Sequence, residues 1–194
     1  MRKALFTASA LALTLGLSGC LVPEKFDASV NVKPDGSYTY KYDGTAVHYA
    51  AAAAIKEKGK LPEKDEAGLK REAEKAAAAP GVKKMAYRGD GHYDVAIDLE
   101  LKAGEKVRTL SIFNYSRDKD GAYVIAAQKM NDKDRQNLKS LGIKVDGKFE
   151  VLLPSNAKVL SNNASSTPGL LSKAYTWKIG GVDDQPSIRF TLGQ

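Results

Sequence analysis

A single cysteine, Cys20, and only two histidines, His48 and His92, occur in this chain of 194 residues. One thiol cannot build a disulfide framework, so the folded part must be held by a hydrophobic core. His48 and His92 lie far apart, with no His-Glu-x-x-His or other ligand spacing. The chain also lacks a Gly-x-Ser-x-Gly nucleophile elbow. Ser-x-x-Lys occurs at Ser116/Lys119 and Ser155/Lys158, but the companion Ser-Asp-Asn and Lys-Thr-Gly motifs are missing. "DKDG" at 118–121 has too few ligands for a calcium loop and no glutamate at its twelfth position. "GIKVDGKF" from Gly142 has phosphate-loop spacing, yet Phe149 stands where a metal-binding hydroxyl belongs and a strand pattern follows. No catalytic residue, metal or cofactor is therefore expected, and the chain reads as a non-enzyme. Carboxylate pairs for glycoside cleavage have no sequence spacing, because the fold sets their separation. A cell-wall or lipid hydrolase thus stays open as the alternative.

Long apolar runs are scarce too. The longest, Ala4 to Leu17, is interrupted by Thr7, Ser9, Thr14 and Gly16. Its 14 residues would span roughly 21 Å as a helix, against about 30 Å of bilayer hydrocarbon. Behind the positive Arg2 and Lys3, this is the layout of a secretory signal. Leu17-Ser18-Gly19-Cys20 follows at the distance where a lipobox would stand, and the segment resembles the signal of bacterial lipoproteins. The resemblance implies cleavage between Gly19 and Cys20 and a lipid on the Cys20 thiol. It also implies a membrane attachment, stable when two or more acyl chains are carried. Inner-membrane lipoproteins typically have aspartate after that cysteine. Leu21 therefore implies the outer membrane where the host has two. We read residues 1–19 as signal peptide, 20–25 as a lipidated tether and 26–194 as one domain.

Excess charge of one sign is likewise small. Removing Arg2 and Lys3 leaves 28 basic and 23 acidic residues, a net charge of +5, and the two signs interleave. A basic face for nucleic acid is absent, so no nucleic-acid partner is expected. The partners that remain are the membrane, through the lipid, and an envelope protein, glycan or lipid.

What is present is alternation. Phe26, Ala28, Val30 and Val32 alternate with polar residues, turn at Lys33–Gly36, and continue in Tyr38, Tyr40 and Tyr42. The tyrosine spacing of two makes one strand face. "AVHYAAAAAIKEKG" from Ala46 has helical spacing and stops at Gly59, placing His48 in a first helix. A second helix starts at Pro62, with Glu63, Asp65 and Glu66 at its positive end and Glu66 spaced to pair Lys70. It stops before Pro80-Gly81. Met85/Tyr87 and Tyr93–Leu101 alternate again around Gly89-Asp90-Gly91. Thr109–Asn114 and Ala122–Ala127 read as a hairpin about Asp120-Gly121, and Asn131–Leu141 as a short helix. Phe149–Leu153 is a strand, "SNNASSTPG" a polar loop, and Tyr175–Ile179 faces Ile188–Leu192 across "GGVDDQP". Five Asp-Gly pairs read as tight turns, and Asp183-Asp184 as loop residues. The fold class is α+β: a mainly antiparallel sheet with two alanine-rich helices packed on one face.

The opening strand running into "PDGS", the helical insert and the late "FEVLLPSNAKVLSNN…YTWKI" resemble the LppM-type domain of bacterial lipoproteins. That resemblance implies the same α+β fold and brings no catalytic residues with it. The sequence points to a membrane-anchored envelope lipoprotein serving as a binding or assembly module. Trp177, sharing a strand face with Tyr175 and Ile179, is expected to be buried.

Overall fold

The computed structural model describes residues 21–170 and 172–193. The signal segment 1–19 and the Gly19–Cys20 junction lie outside the described residues. Ten strands and three helices follow in the order β1 (Leu21–Val32), β2 (Tyr38–His48), α1 (Tyr49–Lys58), α2 (Glu63–Ala77), β3 (Val82–Gly89), β4 (His92–Leu101), β5 (Phe113–Arg117), β6 (Tyr123–Ala127), α3 (Asp132–Ser140), β7 (Asp146–Leu152), β8 (Ala157–Asn162), β9 (Ala174–Ile179) and β10 (Ser187–Leu192).

The strands divide between two sheets. One has the order β3-β4-β2-β1-β7-β9, the other β5-β6-β10-β8. All neighbours are antiparallel except β1 and β7. The expected alternation decides the faces. Tyr38, Tyr40 and Tyr42 on β2 stand opposite Leu101, Leu99 and Ile97 on β4, so these residues share the inner face. Lys41, Asp98, Asp27, Lys148 and Glu150 take the outer face, where they form exposed pairs such as Lys41–Asp98 at 3.3 Å.

The second sheet packs on that inner face through aromatic rings. Phe113 stacks on Phe149 at 5.7 Å, and Tyr38 meets Tyr115 edge-on at 4.8 Å. Phe190 and Ile188 are fully buried in the same layer. Burying one such side chain stabilises the fold by roughly 1.5–3 kcal/mol. The α+β class and the antiparallel character hold, with a second sheet added to the helices as the cover of the first.

The alanine-rich helices occupy the far end of that face. α2 lies against β3, burying Ala73, and its Leu69 and Ala76 reach the main core. α1 follows directly from β2 and buries Ala51. Gly91 sits in the β3–β4 turn at φ 77°, where a Cβ would come within 2.5 Å of the Ala51 Cβ. Only glycine admits the helix here.

Several expectations are corrected. The first helix begins at Tyr49, since Val47 and His48 still pair with β4 and β1. His48 is thus its N-cap, its Nδ1 accepting from the Ala51 N–H at 3.3 Å. Glu66 does not pair with Lys70; it accepts from the Tyr87 hydroxyl at 2.5 Å and the Asp90 N–H at 3.1 Å. The strand expected at 109–114 starts four residues later, because Leu110 takes φ 44° and breaks extension there. Strand β8 runs on through Ser161 and Asn162, the first two residues of the expected polar loop. Tyr175–Ile179 and Ile188–Leu192 do not form a hairpin. β9 pairs with β7 and β10 with β6 and β8, so "GGVDDQP" crosses between sheets. Both strands carry inward apolar residues, which each sheet satisfies separately.

The expected tether is also corrected. Residues 21–25 are the start of β1: Leu21, Val22 and Pro23 pair with His48, Val47 and Ala46. The register then shifts between Pro23 and Phe26, a bulge that accommodates a proline without a donor. Beside it, two of the five Asp-Gly pairs are strand residues and not turns. A Cβ on Gly44 would lie 2.1 Å from the Lys25 carbonyl oxygen, and one on Gly147 2.5 Å from that of Phe26. Glycine on both neighbours lets three backbones close around Phe26.

Candidate functional site: a cleft at the start of β1

Next to that bulge the two sheets part. A half-open cleft of about 470 Å³ lies between the start of β1, α3 and the loop from β9 to β10. The volume falls within the roughly 300–1,000 Å³ of ordinary small-molecule sites. Leu21, Val22, Pro23 and Phe26 form one wall. Phe149 and Ile179 floor it, and Ile112, Met130, Leu138 and Val182 close the other side.

Sequence explains each wall. β7 begins only at Asp146, opposite Lys25, so Leu21, Val22 and Pro23 pair with β2 alone and their other edge borders the cleft. α3 is started by Asn131, whose Oδ1 accepts from the Asp134 N–H at 2.8 Å. Its buried residue is Leu138, which packs with Val47 and Ile143. Asp183 ties the β9–β10 loop to α3, accepting from Lys139 at 2.5 Å and lying 3.7 Å from Arg135. The Lys139 hydrogen bond, helped by both cationic charges, holds the Asp183 carboxyl below the usual aspartate range. Lys56 bonds the Ser140 carbonyl, joining α1 to α3.

Polar groups stand at the rim. Asp134 accepts from the Asn131 side chain at 2.8 Å, and Asp184 accepts from the Gly180 and Gly181 N–H groups at 2.7 and 3.1 Å. Both carboxylates are engaged in a cap and a turn. Lys129 is exposed at the same rim and pairs with no carboxylate among the described residues. An apolar trough with one unpaired cation at its edge suits an apolar chain with an anionic head.

The residues weighed on sequence grounds are scattered. His48 caps α1, and burial pushes its imidazole pKa down, partly opposed by Glu72. His92 pairs with Glu24 at 3.0 Å. Asp118 and Asp120 flank a hairpin turn and both receive Arg189, at 2.5 and 3.0 Å. The Ser116/Lys119 and Ser155/Lys158 pairs sit on the surface without a shared hydrogen bond. Among the described residues no three His, Cys, Asp or Glu side chains converge to hold a metal. No described helix is long and apolar enough to cross a membrane. Trp177 is 4% exposed and donates to Asn163 at 2.8 Å, as its strand position implied.

The tyrosines do not line the cleft as a group. Tyr38, Tyr40 and Tyr42 are internal, and only Tyr49 reaches the cleft wall. The sequence missed the cleft because its walls come from six separate segments. Val182, an apolar residue inside a Gly-Asp loop, was the one local signal.

No protein-family model matches the chain, and no curated protein matches it. Among solved structures it is similar to the NMR structure of the folded domain of the Mycobacterium tuberculosis LppM protein. The TM-score is 0.46 at 16% identity, over 100% of this chain and 97% of that one.

Proposed function

We propose that the protein is a lipoprotein of the bacterial envelope, anchored through Cys20, whose domain binds an apolar ligand without catalysing a reaction. The observation that carries this reading is the cleft of about 470 Å³, apolar inside and polar at its rim. The anchor is supported by the lipobox-like Leu17–Cys20 behind an apolar segment too short to span. With β1 starting at Leu21, the domain rides directly on the headgroups, without the five-residue tether.

Two measurements test the two halves. Mass spectrometry of the mature N-terminus should find Cys20 first and carrying thioether-linked lipid. An unmodified peptide reaching upstream of Cys20 refutes the anchor. Titration with a dansylated fatty acid should show saturable binding that Ile112→Trp abolishes by filling the trough; equal binding by both proteins refutes the ligand site. The outer-membrane address rests on Leu21 and is tested by density-gradient fractionation. Wild-type protein banding with the inner membrane refutes it.

A further inference from the structure

The cleft opens beside the residue that follows Cys20, and this narrows what fills it. We infer that an acyl chain of the lipid on Cys20 is itself the occupant, folded back into the domain that it anchors. The inference rests on the proposed lipidation of Cys20 and names the ligand of the proposed site.

Leu21 is both the first residue of β1 and part of the cleft wall. Consecutive Cα atoms are about 3.8 Å apart, so the lipid attaches within one residue of the trough. Pairing with Ala46, Val47 and His48 holds this end of β1 in place. The opposite edge of residues 21–24 has no strand beside it, because β7 starts level with Lys25. Leu21, the neighbour of the attachment point, is thus held in the cleft wall, on the open side.

Size and surface agree. If a methylene takes about as much room as a water, roughly 30 Å³, then 470 Å³ admits on the order of 15 methylenes. The interior side chains are Leu, Val, Ile, Met and Phe, and the polar atoms stand at the rim. A bilayer and this trough offer the chain the same kind of surface. The one-residue linkage then makes entry intramolecular, with an effective concentration on the order of millimolar for a short connection. A free lipid of the same chemistry must displace the resident chain, so the anchor regulates the site. Stable membrane attachment takes two chains, so seating one in the domain loosens a two-chain anchor and leaves a three-chain anchor firm.

The test is photocrosslinking in the full chain, with benzoylphenylalanine placed at Ile112 or, in a second protein, at Val182. Both positions are partly exposed in the cleft wall, and the exposed Leu160 and Leu170 serve as references. Poorly quenched Trp177 fluorescence verifies that each protein is folded. After irradiation in native membranes and digestion, the Cys20 lipopeptide should be joined to the peptide carrying position 112 or 182. It should not be joined to those carrying 160 or 170, and Ile112→Trp should abolish the adduct at 182. Lipidated Cys20 peptide with no cleft adduct overturns the inference. So does a cleft adduct with a free lipid, or one formed between isotopically distinct copies. A Cys20 peptide without lipid instead refutes the anchor, and the same spectra tell the two failures apart.

Discussion

The layer between the sheets has two ends built from similar residues and finished differently. At the closed end the aromatic rings interlock and their hydroxyls are tied to backbone. Tyr38 donates to the Glu105 carbonyl at 2.5 Å, Tyr40 to that of Leu110 at 2.8 Å, and Tyr115 to that of Gly36 at 3.1 Å. At the open end Leu21, Val22, Ile112 and Val182 line space that no side chain among the described residues fills. Close packing is the norm for protein interiors, and this departure from it is what supports the proposed ligand site.

Truncating one side chain at each end separates core from site most sharply. Phe190→Ala at the closed end should destabilise the protein by about 3–5 kcal/mol, the usual loss for a buried phenylalanine. Denaturant melts should show it, whereas Val182→Ala should shift stability by less than about 1 kcal/mol. An equal loss at both ends would make the cleft ordinary core.

Tyr40→Phe is a subtler probe of the closed end. It leaves the Leu110 carbonyl without its donor, at about 1–3 kcal/mol. Burial already lifts the Tyr40 hydroxyl well above its ordinary pKa, so it should resist ionisation in an alkaline spectrophotometric titration.

His48 connects the fold to pH. Its imidazole is held below 6.5 in the folded protein, chiefly by burial, and its Nδ1 must be unprotonated to cap α1. The unfolded chain therefore binds the proton more readily than the folded one. The contribution is complete above pH 6.5 and declines as pH falls through that value toward the lower folded pKa. His48→Ala should remove about 0.5–2 kcal/mol at neutral pH, and His48→Asn should restore the cap without the pH dependence. Stability measured at pH 7.5 and 5.5 checks both.

The smallest effect belongs to the outer face. Lys41→Ala removes an exposed pair with Asp98 and should change stability by less than about 1 kcal/mol, with that change shrinking further in salt.

These contrasts also mark how far the sequence was legible. Period-two alternation in β1, β2, β4 and β7 gave the inner face residue by residue, and the stop at Gly59 gave a helix end. Local signals are enough for such features. Sheet membership was not legible, because β9 and β10 present inward residues whether they pair with each other or with distant strands. The Asp-Gly rule failed at Gly44 and Gly147 for a related reason. There glycine answers a neighbouring strand and not the local turn. The cleft failed completely as a sequence feature, since its walls meet only after both sheets form. Cys20 was singled out by its lone thiol and its preceding segment, whereas the place of its neighbour Leu21 in the cleft wall became visible only in the fold.

The most direct test of the open end as a ligand site uses a diazirine-bearing palmitate and the full-length Cys20→Ser protein, which offers no thiol for a lipid. After irradiation, labelled peptides are mapped by mass spectrometry. The account predicts label on the peptides carrying Val22, Ile112, Met130 and Val182, and none on those carrying Tyr40, Leu160 or Phe190. Label spread over Leu160 and Leu170, or absent from the cleft peptides, would contradict it.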